Sequence, residues 1–467
     1  MATGVQNDRL ARLMEAAGFS SHKAFARAVL AESQLAGEPL KRCDHTDVSR
    51  WLRGMTPRGK KPGFIAAALA RALGRAVTAA DIGMASAVDT RLVDLGLDYP
   101  DSPEVGIDNA VDLWQADVEE ATFTLKANID PGAWNTASLR WLINTEAPPA
   151  ATLTSGTQIG QSDIDRFRTT VDLFAQLDNR FGGGHARQSL IQYLATDAKR
   201  MLRGEFVDDS TRQALFSAVA EATLLAAWMA YDSALHGLAQ RYFIQALRIA
   251  QSGDDRILAA SILDAMSHQA TFVGRFRDAA NLARAARSGT QGIATATLTA
   301  HFYTMEARAL ARLGDAHACD LALSEAVRAF ERRKPDSDPE WIRYFDDAEL
   351  AAEFGHCFRD LGRPVDASQY ANQCLGTIDD GVYLRSDFFA TMVLADSYLG
   401  AGDVDQACGV ALGALKLGEQ LRSARCVSYL REFGERLGQL GKVAGTSDFH
   451  EQAAASRLWR IASRSSS

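Results

Sequence analysis

Between Cys43 and Gly54 the chain reads Cys-Asp-His-Thr-Asp-Val-Ser-Arg-Trp-Leu-Arg-Gly, and its polar and basic residues recur at helical spacing. With Asp44 as a cap, that spacing turns Val48, Trp51 and Leu52 toward a core and leaves His45, Thr46, Ser49 and Arg50 together on the other face. Those four residue types can bond the edges of DNA bases. An arginine grips a guanine through two donors, and threonine and serine hydroxyls meet bases or phosphates. Arg53 at the end of the same helix, His22 and Lys23 at the start of the helix before it, and Arg58, Lys60 and Lys61 in the loop after it are of the types that hold phosphates. From Lys41 to Lys61 the only acids are Asp44 and Asp47. Such basic clustering is the expected footprint of backbone contacts, and a solvated basic face without function is the plain alternative.

Catalytic chemistry has no comparable constellation. Gly438 to Val443 is the nearest approach to a phosphate-binding loop and lacks both the correctly placed first glycine and the hydroxyl. There is no His-Glu-x-x-His and no Gly-x-Ser-x-Gly. The six cysteines, at 43, 319, 357, 374, 408 and 426, never form a Cys-x-x-Cys pair, and neither His317 nor His356 stands at metal-ligand spacing from a neighbouring cysteine. No enzyme activity, cofactor or metal is therefore expected, and the cysteines read as reduced thiols.

The elements that must position the basic helix follow from caps and periodicity. Asn7 and Asp8 cap a first helix ending near Gly18; Ser20 or Ser21 caps a second with Phe25, Val29 and Leu30 inward; the third runs from His45 to Arg53 and closes at Gly54. A fourth spans 64–73, and Thr78 caps a last turn through Ile82. Residues 1–84 hold 13 Lys/Arg against 7 Asp/Glu, while the remainder of the 467 residues holds 37 against 51, so a small basic domain precedes a large acidic one. Residues 85–165 read as a helical connector and linker: 107–120 fits a helix, 147–160 is rich in Pro, Ala, Thr, Gly and Ser, and Trp114, Trp134 and Trp141 suit burial against a neighbour. The longest uncharged and largely apolar run is Ala222 to Tyr231, too short to span a bilayer, and the first ten residues hold Asn7, Asp8 and Arg9 where a signal peptide needs an apolar core. A cytoplasmic, nucleoid-associated protein with no membrane partner is expected.

The Thr-x-x-Ser-Arg-Trp-like run at 46–51 resembles the recognition helix of XRE-family helix-turn-helix regulators, in which such a helix enters the major groove. The likeness places His45, Thr46, Ser49 and Arg50 at base edges and Arg53 on the backbone. The chain departs from that pattern in one respect. From Ala26 to Val48 it carries about a dozen residues more than the compact motif, among them Gly37, Glu38 and Pro39, so the turn is not the tight one. The run Cys43 to Arg75 is in turn similar to the N-terminal domains of a group of Streptomyces and other actinobacterial regulators that share the lengthened turn. What that resemblance implies is control of development or secondary metabolism.

Beyond residue 165 an internal repeat dominates. A glycine followed five residues later by a small residue recurs as Gly274/Ala279, Gly314/Cys319, Gly362/Ala367 and Gly402/Ala407, and Ala239 extends the register one unit earlier without its glycine. Small residues continue seven after each anchor and twelve before it. The pattern resembles the tetratricopeptide repeat with a longer period, which implies helical hairpins stacked into a solenoid with one concave face. Residues 163–203 offer a sixth unit and 423–463 a terminal cap, while Gly182 to Gly184 with His185 reads as an inter-helix loop.

In register, the first helices bring Trp228, His268, Arg308, His356 and Asp396 to one inward position. Tyr231, Asp264, His301, Arg359 and Phe389 stand beside them. Two readings stay open: a groove for a peptide or small ligand, or residues that pair with one another and bind nothing. The sequence thus leads to an all-α protein, with a helix-turn-helix bundle over 1–84 followed by a tetratricopeptide-like solenoid over 166–467. As function it suggests a homodimeric regulator that binds a double-stranded DNA operator and responds to a peptide or small-molecule effector. The alternative is a protein-interaction scaffold whose basic domain binds DNA weakly.

Overall fold

The computed structural model describes residues 7–35, 39–40, 42–57, 61–73, 77, 81–84, 94–120, 125–144, 158–376, 383–441 and 445–464. The protein is all-α, a two-residue parallel pairing of Gln158–Ile159 with Glu205–Phe206 being the one sheet among the described residues. It divides into two compact units, Met1–Asp94 and Leu95–Ser467.

In the first unit the caps set where helices start. The Asn7 side chain accepts from the Leu10 N–H ahead of α1 (Asp8–Ala16), and the Ser21 hydroxyl accepts from the Ala24 N–H ahead of α2 (His22–Leu35). Asp44 and Asp47 form a reciprocal capping box at the start of α3 (His45–Leu52), which ends at Gly54 with φ of +86°. With α4 (Lys61–Leu73), these helices enclose a core of Leu10, Phe25, Val29, Val48, Trp51, Ile65 and Leu69. The extra residues between α2 and α3 go largely into α2 itself, which continues to Leu35. Its Ser33 hydroxyl accepts from the Leu40 N–H and ties down the segment that returns to α3. An ion pair from Arg71 to Glu32 fastens α4 to the same stretch of α2. Thr78, expected as a cap, lies outside the described residues, while Ile82 is buried in this core.

Residues 95–144 belong to the second unit. There α5 (Pro103–Val118) and α6 (Pro131–Ile143) start on prolines capped by Ser102 and Asp130, and Trp114, Trp134 and Trp141 are wholly buried in one core with the repeats. After α7 (Gln161–Phe181) and α8 (Arg187–Tyr193), five helical hairpins follow, the first helix of each packing on its own partner and on the first helix of the next hairpin. They are α9 (Asp209–Asp232) with α10 (His236–Ser252), α11 (Arg256–Phe272) with α12 (Phe276–Gly289), and α13 (Ala296–Leu313) with α14 (Ala316–Phe330). The last two pairs are α15 (Asp347–Asp360) with α16 (Pro364–Leu375), and α17 (Leu384–Gly400) with α18 (Val404–Leu417); α19 (Ala424–Gln439), α20 (Thr446–Ala453) and α21 (Arg457–Arg464) cap the end. Helix α9 is long and apolar enough to cross a membrane, but 72% of its most apolar window is buried inside the protein, as befits a core helix.

The repeated residues have two separate jobs. Gly274, Gly314, Gly362 and Gly402 end first helices with φ from +68° to +85°, and nothing lies within 4 Å of where their side chains would be, so backbone conformation alone selects them. The anchors Ala239, Ala279, Cys319, Ala367 and Ala407 are each fully buried and let paired helices approach closely. Across one such contact the Ser267 hydroxyl donates to the Ala279 carbonyl at 2.8 Å.

The stack curves until its end meets its beginning. Helix α17 packs on α7, the Arg422 N–H donates to the Phe181 carbonyl at 2.7 Å, and the Gly184 N–H donates to the Arg422 carbonyl at 3.2 Å. The loop of three glycines at 182–184 is what this meeting requires. Gly182 has φ of +83°, and a Cβ on Gly183 would stand 2.6 Å from the Met229 carbonyl oxygen.

Candidate nucleic-acid interface and an inner charged cluster

Burial of Val48 and Trp51 fixes the rotation of α3, and it leaves His45, Thr46, Arg50 and Arg53 exposed with Ser49 half-buried among them. Arg53 donates to the Ser49 carbonyl at 3.2 Å and to its hydroxyl at 3.3 Å, which holds this guanidinium along the helix. Among the described residues Arg50 has no ion-pair partner, so its donors face outward. The cap that anchors the helix is itself charged: Arg42, at 2.6 Å, together with the Asp47 and Thr46 N–H groups, holds the Asp44 carboxyl down to about 2. His22 and Lys23 are exposed in the first turn of α2, and Lys61 is half-buried at the first residue of α4. Arg58 and Lys60 lie outside the described residues.

In the second unit the inward residues come together, and most of them engage one another. Trp228, Tyr231 and His268 form an aromatic cluster with ring centroids 5.3–5.7 Å apart, and the Tyr231 hydroxyl lies 3.1 Å from His268 Nδ1. Asp264 pairs with His301 Nδ1 at 2.5 Å, and the other ring nitrogen of His301 lies 3.1 Å from the Tyr344 hydroxyl. Arg308 donates to Glu353 at 2.5 Å and Arg359 to Asp360 at 2.6 Å. Asp396 accepts from Arg436 at 2.6 Å, with Arg359 3.8 Å away. His356 is buried with its Nδ1 3.5 Å from the Tyr429 hydroxyl.

Sequence reasoning missed the contribution of α19. Residues 423–463 were legible as a terminal cap, but not that Arg425 reaches back onto the first hairpin while Tyr429, one turn on, packs on His356 and Phe389. The Arg425 guanidinium lies 4.7 Å from the Tyr231 ring and 4.8 Å from the Phe389 ring, and donates to Asp232 at 2.8 Å. On the inner face a cavity of about 30 Å³ is walled by His268, Arg308, Arg312, Arg359, Arg425 and Glu432, among others. Burial first, then the Arg308 and Arg425 charges, hold His268 well below the usual histidine range; burial, Arg308 and Arg359 do the same to His356. Both imidazoles are neutral there.

Residues 10–85, a stretch that lies within the first unit, match the family model of the SP15 N-terminal domain. No curated protein matches the chain.

Proposed function

We propose that this protein is a sequence-specific DNA-binding transcriptional regulator, with α3 as the helix that reads bases and the helical repeats as the part that responds to an effector or mediates dimerisation. One observation carries the reading. The core of a basic unit pins Val48 and Trp51 so that His45, Thr46 and Arg50 stand on one exposed face, with exposed Lys23 and Arg53 available for flanking phosphates. One such unit buries little surface on DNA, so a homodimer on paired half-sites is the proposed route to useful affinity.

Selection of genomic fragments by the purified protein tests this, at about 150 mM salt so that the non-specific phosphate attraction is suppressed. An inverted repeat among enriched fragments is the expected result. Arg50→Ala then costs about 1 to 3 kcal/mol of preference for the selected site over random DNA while leaving the fold intact. No enrichment by the wild type removes the regulator reading in favour of a protein-interaction scaffold built on the repeats.

A further inference from the structure

The cavity on the inner face of the repeats is walled by the first helices of three successive hairpins and by α19. Helix α11 supplies His268 and Thr271, α13 supplies Arg308 and Arg312, α15 supplies Arg359 and Asp360, and α19 supplies Arg425, Tyr429 and Glu432. Four arginines thus face two carboxylates. Three of the four are buried, Arg308 and Arg425 being 7% and 8% exposed and the Arg359 side chain 6%, while Arg312 stands at the open rim.

Their known partners do not use up their donors. Arg308 spends one terminal nitrogen on Glu353, Arg359 spends Nε and one terminal nitrogen on Asp360, and Arg425 spends Nε on Asp232. Arg308 Nε and Thr271 Oγ1 are buried without a hydrogen-bond partner, and Arg359 Nη1, 3.8 Å from the Asp396 carboxylate, makes no hydrogen bond either. Buried donors left unmet, above all on guanidinium groups, are costly, and an acceptor-rich anion is the species that meets them. The two neighbouring neutral histidines, pressed down in part by these arginines, report the same positive field.

We propose that this cavity binds a small oxyanion, the phosphoryl or carboxylate group of a small molecule, held by Arg308, Arg312 and Arg359 with the Thr271 hydroxyl donating to it. A space of about 30 Å³ takes the volume of one or two waters and hence one anionic group, with the rest of the molecule leaving past Arg312 and Glu432. The group bridges three hairpins and α19, so its binding stiffens the closure of the ring. As the effector site of a regulator it rests on the DNA-binding reading; as an anion site it does not.

The test is calorimetric titration of the full-length chain, without DNA, with inorganic phosphate in one arm and citrate in the other, at ionic strength fixed by potassium chloride. Saturable one-to-one binding of either anion is expected, and the arm that binds more tightly identifies the phosphoryl or the carboxylate source. Arg312→Gln, at the rim, weakens binding about tenfold, the scale of one charge-assisted hydrogen bond. Glu432→Gln removes a competing carboxylate and tightens binding about threefold, a change of opposite sign that a merely destabilised fold does not give. Absence of saturable binding of both anions up to about 10 mM, or equal affinity in both variants and the wild type, overturns the proposal. Because no DNA is present, its failure is distinct from a failed operator selection.

Discussion

Asp232, the last residue of α9, and Arg425, in the first turn of α19, form a buried ion pair at 2.8 Å across 193 residues of sequence. Around the same carboxylate gather the Ser423 hydroxyl at 2.8 Å, the Gly183 N–H at 2.9 Å and Arg385 at 3.4 Å. This one side chain therefore joins the first hairpin, the glycine loop, the fifth hairpin and the cap. A solenoid of nearest neighbours gains such a long-range tie only when it curves far enough to close on itself.

Loss of the Asp232 charge leaves Arg425 buried without its counter-ion, while Arg385 keeps Asp178 at 2.9 Å. Asp232→Asn is expected to destabilise the second unit by about 3 kcal/mol or more in urea unfolding, and Asp232→Asn with Arg425→Met to recover part of that loss. Burial pushes this carboxyl up, but Arg385 and Arg425 outweigh it and hold the net value below the ordinary one. The contribution is thus complete above the unfolded-state value of about 3.9 and is lost only as pH falls through the lower native one. An Asp232→Asn penalty that is the same at pH values well below that range as at neutral pH contradicts the assignment.

Glu349 has the opposite sign. Burial first and the Glu353 carboxylate second push its carboxyl up to about 7, against the pull of His301 and Arg308. The native state then binds more protons than the unfolded chain between the two values, so this group's contribution falls as pH rises from about 4.5 through 7. Glu349→Gln is expected to raise the melting temperature by about 2 °C at about pH 8 and to leave it unchanged at about pH 4. Thermal scans at the two pH values check this, and an equal shift at both sinks it.

Ala234 takes the turn that glycine takes in the later repeats, with φ of +61°. The left-handed conformation costs an L-residue about 1 kcal/mol or more relative to glycine. Ala234→Gly should therefore stabilise the protein by about 1 kcal/mol, and Gly314→Ala, at φ of +77° with open space around it, should destabilise it by a similar amount. Denaturant midpoints measured on both variants give the comparison; a loss of stability in Ala234→Gly disproves the strain.

The repeat hairpins were legible because two backbone demands recur in sequence: a left-handed turn and a close helix contact. Asn7, Ser21 and Asp44 were legible as caps for the same local reason. Ring closure was not, because Asp232, Arg385 and Arg425 each read as ordinary polar residues at helix ends until the whole stack is assembled. Helix α10 makes the point from the other side. Gln240, Arg241, Gln245 and Arg248 look like a solvated face, yet they are buried, donating to the backbone carbonyls of Asp130, Asn128, Gly96 and Pro100 respectively. Residues 95–120 and 125–144, expected as part of a connector, lie over this face, and no periodicity announces a polar helix face that is covered by chain. For the inward tract, the sequence named the residues that gather but not their partners, since Glu353 and Tyr429 come from positions the repeat register does not single out.

In the proposed DNA complex, residues that read on α3 and residues that position on α2 are separable by salt. Arg50 faces outward from the helix assigned to base edges, whereas Lys23, in the first turn of α2, is assigned to a phosphate. Lys23→Ala is expected to weaken binding to the selected site and to random DNA equally, and to lower the slope of log affinity against log salt by about 1. Arg50→Ala should instead lose about 1 to 3 kcal/mol on the selected site, with its main effect on discrimination. Equilibrium titrations of both variants on both DNAs across a salt series separate the two. The pair of outcomes is specific to the geometry: Trp51, 3% exposed, fixes the rotation of α3, and the buried Phe25 and Val29 fix that of α2, so the side chain that remains in each variant keeps its face. If Lys23→Ala changes sequence preference while Arg50→Ala changes only the salt slope, the orientation assigned to α3 on DNA is wrong.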